Sequence, residues 1–294
     1  MTDAVATDAA GRGIPPLFAR LCDDAALFPP GNVPAARAVP AHRAHRASWY
    51  RDLVGPFLAA PKHLTDVAQA ARDDETLVQL VLVVPNGPGS LASAVRATAS
   101  EPGIELVGVE LACAADGSPA AAAREAVWAL DRELPPGVGG VVEVRRGAGL
   151  AEALDVVAAS SFRAKLRTGG AVAQAFPAEV ELAEFIVGCV VRRLSFKCTA
   201  GLHEAIRHTD KVTGFEHHGF LNILTATGAA VQGADASLVA SLLGVRSGTE
   251  LVGALRQLTP DATARTRRAF TAYGTCSIAE PLADLVRLGA LELE

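Results

Sequence analysis

The chain has 294 residues, half of them hydrophobic and 20% charged, with a formal net charge of −5. That is enough apolar material for one large or two small cores. The mild acidity argues against a nucleic-acid surface, which needs a basic face, and the longest apolar runs, such as LVQLVLVVP at 77–85, are too short to cross a bilayer.

In chain order, residues 1–13 (MTDAVATDAAGRG) read as a disordered tail. They lack the basic-then-apolar pattern of a secretory signal. Five scattered cysteines without a CxxC pair fit reduced thiols in a cytoplasmic protein. Residues 14–294 are expected to form a single domain. Eight short apolar runs, each closed by turn residues, read as strands: Ala25–Pro29, Gly55–Ala60, Val78–Pro85, Glu105–Leu111, Gly140–Arg145, Phe162–Arg167, Ser195–Ala200 and Ala269–Ser277. Helical patterns alternate with them at 34–51, 62–73, 89–100, 118–134, 149–160 and 177–193, and 278–290 follows the last run. Ser277 with Glu280 forms the capping pattern of that final helix, and Gly289 its stop. Asp23 and Asp24 precede the first predicted strand, so they are expected to cap a helix or face solvent.

Eight β/α alternations predict a (β/α)8 TIM barrel; an open doubly wound sheet is the alternative. The stretch 202–268 is too long for one connecting helix. It is expected to hold three or more helices as an excursion between the seventh and eighth strands, capping the mouth or joining copies of the chain in a homo-oligomer.

Period-two alternation places the chemistry. Gly108 and Glu110 share a face, as do Glu143 and Arg145. Arg163, Lys165 and Arg167 share another, and Ser195, Lys197 and Thr199 a fourth. The intervening positions are apolar. These polar groups are expected to point into the barrel, where buried charges need partners; the other reading of them is a structural ion-pair network. Lys165 and Lys197 occupy matching places on strands joined by one helix. A βαβ unit makes such strands parallel, so both ammonium groups can reach one pocket. Two close cations lower each other's pKa, which yields an amine nucleophile at neutral pH.

RTGG (Arg167, Thr168, Gly169, Gly170) and TAG (Thr199, Ala200, Gly201) follow these strands and suit an anion. Arg145 adds a charge nearby. His203, just beyond, can overhang the pocket as a substrate contact or proton carrier. His203, His208, His217 and His218 crowd one segment, yet no HExxH or HxH spacing makes them a metal set. Cys276 lies in a turn, GTCS, that also reads as a capping turn.

AKLRTGG and FKCTAG, within residues 162–201, resemble the two lysine strands of class I aldolases of the deoxyribose-phosphate aldolase type. The resemblance implies that Lys165 forms a Schiff base with a carbonyl substrate and that Lys197 tunes it. The chain departs from the pattern at Leu202, where the family has a second glycine. It has no clear match for the family's strand-borne Asp, for which Glu110 is the nearest inward carboxylate. The whole chain also resembles proteins of high-GC actinobacteria, a likeness that carries no activity with it.

The leading expectation is a Schiff-base lyase acting on a small phosphorylated or carboxylated molecule, with Glu110 or Glu143 moving protons and no metal or cofactor. A second reading places a divalent metal on Glu110 and Glu143, with a lysine abstracting a proton beside a carboxylate. A third is a barrel that binds without turnover.

Overall fold

The structure, a computed structural model, describes residues 13–72 and 76–292. Of the predicted tail at 1–13, residues 1–12 lie outside the described residues. Eight strands close a parallel barrel: β1 Cys22–Asp24, β2 Val54–Ala59, β3 Val78–Val84, β4 Ile104–Ala112, β5 Gly139–Glu143, β6 Arg163–Arg167, β7 Phe196–Thr199 and β8 Phe270–Thr275. Around the ring the order is β1-β8-β7-β6-β5-β4-β3-β2, so each strand pairs with its chain neighbours and β1 with β8 closes the circle. The TIM barrel expected from the spacing is the fold.

Helices α1 Ala35–Ala47, α2 Leu64–Ala71, α3 Leu91–Ala99, α4 Pro119–Glu133, α5 Leu150–Ala158 and α6 Glu179–Val191 alternate with the first seven strands. The alternation of β3 shows how the layers separate. Leu80, Leu82 and Val84 belong to the main core against the helices, whereas Val81 and Val83 belong to a small separate cluster. Period two sends the second pair into the barrel.

Between β7 and β8 the excursion holds four helices: α7 Phe220–Ala230, α8 Ala236–Leu243, α9 Gly248–Arg256 and α10 Pro260–Ala269. A two-residue antiparallel ladder, His208–Thr209 with Glu216–His217, precedes them. Each break between these helices has a local cause. The Asp235 side chain accepts from the Leu238 N–H at 2.9 Å, Ser247 from Glu250 at 3.3 Å, and Thr259 from Ala262 at 3.2 Å. Such side chains satisfy N–H groups that a helix start leaves unpaired. Helix α7 is buried on almost every side, from Phe220 to Gly228. The last helix, α11 Ala279–Arg287, starts with the Glu280 N–H donating to Ser277 Oγ at 3.3 Å.

One predicted strand is misplaced. Ala25–Pro29 forms a turn, with the Phe28 N–H donating to the Ala25 carbonyl at 2.8 Å. The strand is the preceding CDD, and both aspartates are buried. Asp23 faces Lys197 inside the barrel, and Asp24 meets His42 of α1 at 3.0 Å outside it. Hydrophobic patterning misses a strand whose residues are satisfied by charges from remote segments.

Candidate active site

The lysines of β6 and β7 are register partners, Lys165 beside Lys197, and Glu143 of β5 is the partner of Lys165 on the other side. Both lysines are buried, at 1% and 2% exposure. Lys165 Nζ lies 2.6 Å from Glu110 Oε2 and 2.7 Å from Glu143 Oε2. Lys197 Nζ contacts Glu110 Oε1 and Asp23 Oδ2. Arg167 Nε reaches Glu143 Oε1 at 3.2 Å. The charges thus alternate along one chain: Asp23, Lys197, Glu110, Lys165, Glu143, Arg167. Three carboxylates meet three cations, so no buried charge is left uncompensated.

This arrangement sets the protonation states. Burial would raise the Glu110 carboxyl, yet Lys165 and Lys197 together hold it down at about 2. Glu143 is also lowered, because Lys165 and Arg167 outweigh its desolvation. Asp23 is raised, because burial outweighs the attraction of Lys197. Burial pulls Lys165 down, but Glu110 and Glu143 overcome it and its pKa ends above the ordinary value. A lysine depressed by its cationic neighbour was the expectation; for Lys165 the reverse holds. Glu110 sits between the two ammonium groups, and each lysine also has a carboxylate of its own.

Backbone geometry makes room for the network. A Cβ on Gly55 of β2 would lie 2.0 Å from Asp23 Oδ1, so only glycine lets that carboxylate stand where it meets Lys197. Asp23 is the member of the site that sequence reading missed. The available signal was the alternation of Asp23 with Ala25 ahead of an apolar run, opposite a glycine at 55.

The residues expected to bind an anion are distributed unequally. Arg167 is at the mouth with a half-exposed side chain. Thr199, the last residue of β7, is partly exposed. Thr168 is fully buried and its hydroxyl donates to the Thr199 and Ala200 carbonyls, at 3.1 and 2.6 Å. That bond holds Ala200 at φ 64°, followed by Gly201 at 72°, left-handed values that are costly for alanine. Gly169 and Gly201 press together: a Cβ on Gly169 would lie 2.9 Å from Gly201 Cα. These two glycines therefore have a packing reason, while Gly170 is exposed. Arg145 points elsewhere, donating to the Ala115 carbonyl and, at 2.7 Å, to that of Gly117.

The histidines do not converge. His203 Nδ1 lies 3.5 Å from Cys276 Sγ and 3.3 Å from Glu280 Oε2. His217 stacks on Phe176, and buried His218 bonds Arg207 and the Pro177 carbonyl. Among the described residues no group of three or more His, Cys, Asp or Glu could hold a metal ion. For the metal reading of Glu110 and Glu143, the Lys165 ammonium stands where a cation would bind both, so the residues do not fit it. Among the described residues no helix is long and apolar enough to cross a membrane.

The fold has solved counterparts. Deoxyribose-phosphate aldolase from Aeropyrum pernix, described as a tetramer, superposes with a TM-score of 0.54 and 11% identity over 92% of each chain. A candidate fructose-1,6-biphosphate aldolase from Coccidioides immitis gives a TM-score of 0.41 and 13% identity, over 89% of this chain and 98% of that one. The first likeness concerns the barrel fold alone. No protein-family model and no curated protein sequence matches the chain.

Proposed function

We propose that this protein is a carbonyl-chemistry lyase of the Schiff-base aldolase kind, acting on a small substrate with an anionic end. The observation that carries the reading is the register pairing of Lys165 and Lys197 on adjacent strands with Glu110 bridging them. An amine nucleophile needs a partner that takes its proton and a neighbour that tunes its charge; Glu143 and Lys197 stand in those places, while the carboxylates around Lys165 hold it protonated at rest.

Lys165 is the better placed nucleophile. Its partner Glu143 has a side chain 16% exposed, against 1% for Glu110 and 6% for Asp23. Access from the mouth therefore passes Glu143 and Arg167. Glu143 is the carboxylate in contact that can accept the Lys165 proton; the resting network favours the ammonium and the carboxylate, so the neutral amine that adds to the substrate carbonyl carbon is a minor form of the enzyme. Glu143 returns that proton as water leaves, which produces an iminium. Glu143, ionised again, takes the proton of the substrate's β-hydroxyl as the electron pair of the adjacent C–C bond flows into the iminium, and one fragment leaves as a carbonyl compound. Glu143 gives that proton to the carbon of the remaining enamine, and water hydrolyses the resulting iminium to release the second carbonyl compound and the Lys165 ammonium. Glu110 stays ionised between the lysines. Arg167, with the Thr199 hydroxyl and the Gly170 backbone, receives the phosphate or carboxylate.

Borohydride reduction with a panel of aldehydes and ketones, read by peptide mass spectrometry, tests this. A reduced adduct is expected on Lys165, absent in Lys165→Ala and retained in Lys197→Ala. An adduct confined to Lys197, or none with any carbonyl, overturns the assignment. Complete pairing of the interior charges also suits a barrel that binds without turnover. That reading gains if both alanine variants fail to fold and the wild type forms no adduct.

A further inference from the structure

The barrel interior is split by chemistry. The charged network occupies β4 to β7 and reaches β1 through Asp23. The opposite side is a small apolar cluster, Ala25, Leu58 and Val81, separate from the main core; Val83 packs against it, and Phe28 packs against both. The main core takes the alternate residues of the same strands, such as Phe57 and Ala59 of β2. The cluster is therefore an inner wall, and Val83, Phe28, Thr199 and Glu143 share partial exposure. The wall comes close to the lysine side. Val83 is the register partner of Glu110. At Gly274 a Cβ would lie 3.1 Å from Leu58 Cδ1 and 3.4 Å from Thr199 Oγ1.

We infer that the carbonyl compound handled here presents a hydrocarbon flank, not a polyol, to the wall formed by Ala25, Phe28, Leu58, Val81 and Val83. The substrate class is a short-chain aldehyde or ketone whose anionic end lies at the Arg167 side. None of the five wall side chains can donate or accept a hydrogen bond. A substrate hydroxyl seated there would lose its water and gain no partner, and such a loss discriminates strongly. This inference rests on the Schiff-base reading for the reacting carbonyl, and on the wall alone for the flank.

The test uses the chain's four lysines. Lys62 and Lys211 are exposed, so their adducts report the intrinsic reactivity of each reagent. Wild-type protein is reduced with borohydride in the presence of propanal or glyceraldehyde, and of 2-butanone or dihydroxyacetone. Lys165 labelling, divided by that of Lys62 and Lys211, is expected to be at least about tenfold higher for the hydrocarbon member of each pair, or about 1.4 kcal/mol. Val83→Thr keeps the side-chain shape and adds a hydroxyl, and it should narrow the ratio. Equal normalised labelling overturns the inference while leaving the Schiff-base reading intact. Methyl NMR of Leu58, Val81 and Val83 separates the two ideas further. Shifts with 2-butanone but not dihydroxyacetone, without any Lys165 adduct, support the apolar wall and sink the Schiff-base reading. No methyl shifts and no adduct overturn both.

Discussion

Replacing Glu110 by Gln keeps the side-chain shape and removes the charge that two buried ammonium groups share. Lys165 retains Glu143 and Lys197 retains Asp23, so the barrel is expected to fold. The Glu110 carboxyl is held at about 2 against an ordinary 4.5. At about 1.4 kcal/mol per pKa unit, that difference corresponds to about 3 kcal/mol of stability from the ionised form, in line with the roughly 3–5 kcal/mol for breaking a buried pair. Because the folded pKa is depressed, this contribution is complete above the unfolded pKa near 4.5 and is lost as pH falls toward 2. Urea unfolding at pH 7 should therefore show Glu110→Gln less stable by about 3 kcal/mol at unchanged m. The gap between variant and wild type should close between pH 4.5 and pH 2, where Glu110 itself becomes neutral. A gap under about 1 kcal/mol at pH 7, or one that stays constant down to pH 2, would refute the idea that this carboxylate holds the network together.

Lys165→Ala is expected to abolish adduct formation and turnover in a protein whose circular dichroism is unchanged; full activity in that variant removes it as nucleophile. In Lys197→Ala, Glu110 pairs with Lys165 alone, so Lys165 keeps its proton to higher pH and the pH profile of adduct formation moves upward. Lys197→Arg keeps the charge and should move it less, and an unmoved profile in Lys197→Ala would count against the coupling. Gly55→Ala places a methyl 2.0 Å from Asp23 Oδ1, so Asp23 must leave Lys197, at a cost of about 1–3 kcal/mol typical of an overpacked interior; wild-type stability in this variant would show that the carboxylate has another berth. Burial first, and Arg207 second, hold His218 at about 4 against an ordinary 6.5. The folded pKa is depressed, so its contribution is present above 6.5 and lost as pH falls through 4. NMR titration of His218 with a midpoint near 6.5 would contradict this.

Much of the architecture was legible in the sequence. Seven strands stand within a residue or two of their predicted places because each is a short apolar run with turn residues behind it. Period two alone put Glu110, Glu143, Lys165 and Lys197 on inward faces, since a strand turns successive side chains to opposite sides. The breaks of the 202–268 excursion carry Asp, Ser and Thr caps that act within three residues of chain. What the tertiary structure decided depends on residues distant in sequence. Asp23 and Lys197 are 174 positions apart, and only barrel closure makes a strand of Cys22–Asp24 and brings that carboxylate to the lysine. Lys165 illustrates the same limit: two adjacent lysines suggest a lowered pKa, but its sign is set by how many carboxylates arrive beside them. Thr168, Gly169 and Gly201 read as an anion loop until the packing of one turn on another gave their hydroxyl and missing side chains a different use. Local periodicity fixes which way a side chain points; the free energy of a buried charge depends on everything within a few ångströms, and that neighbourhood exists only after the chain has closed on itself.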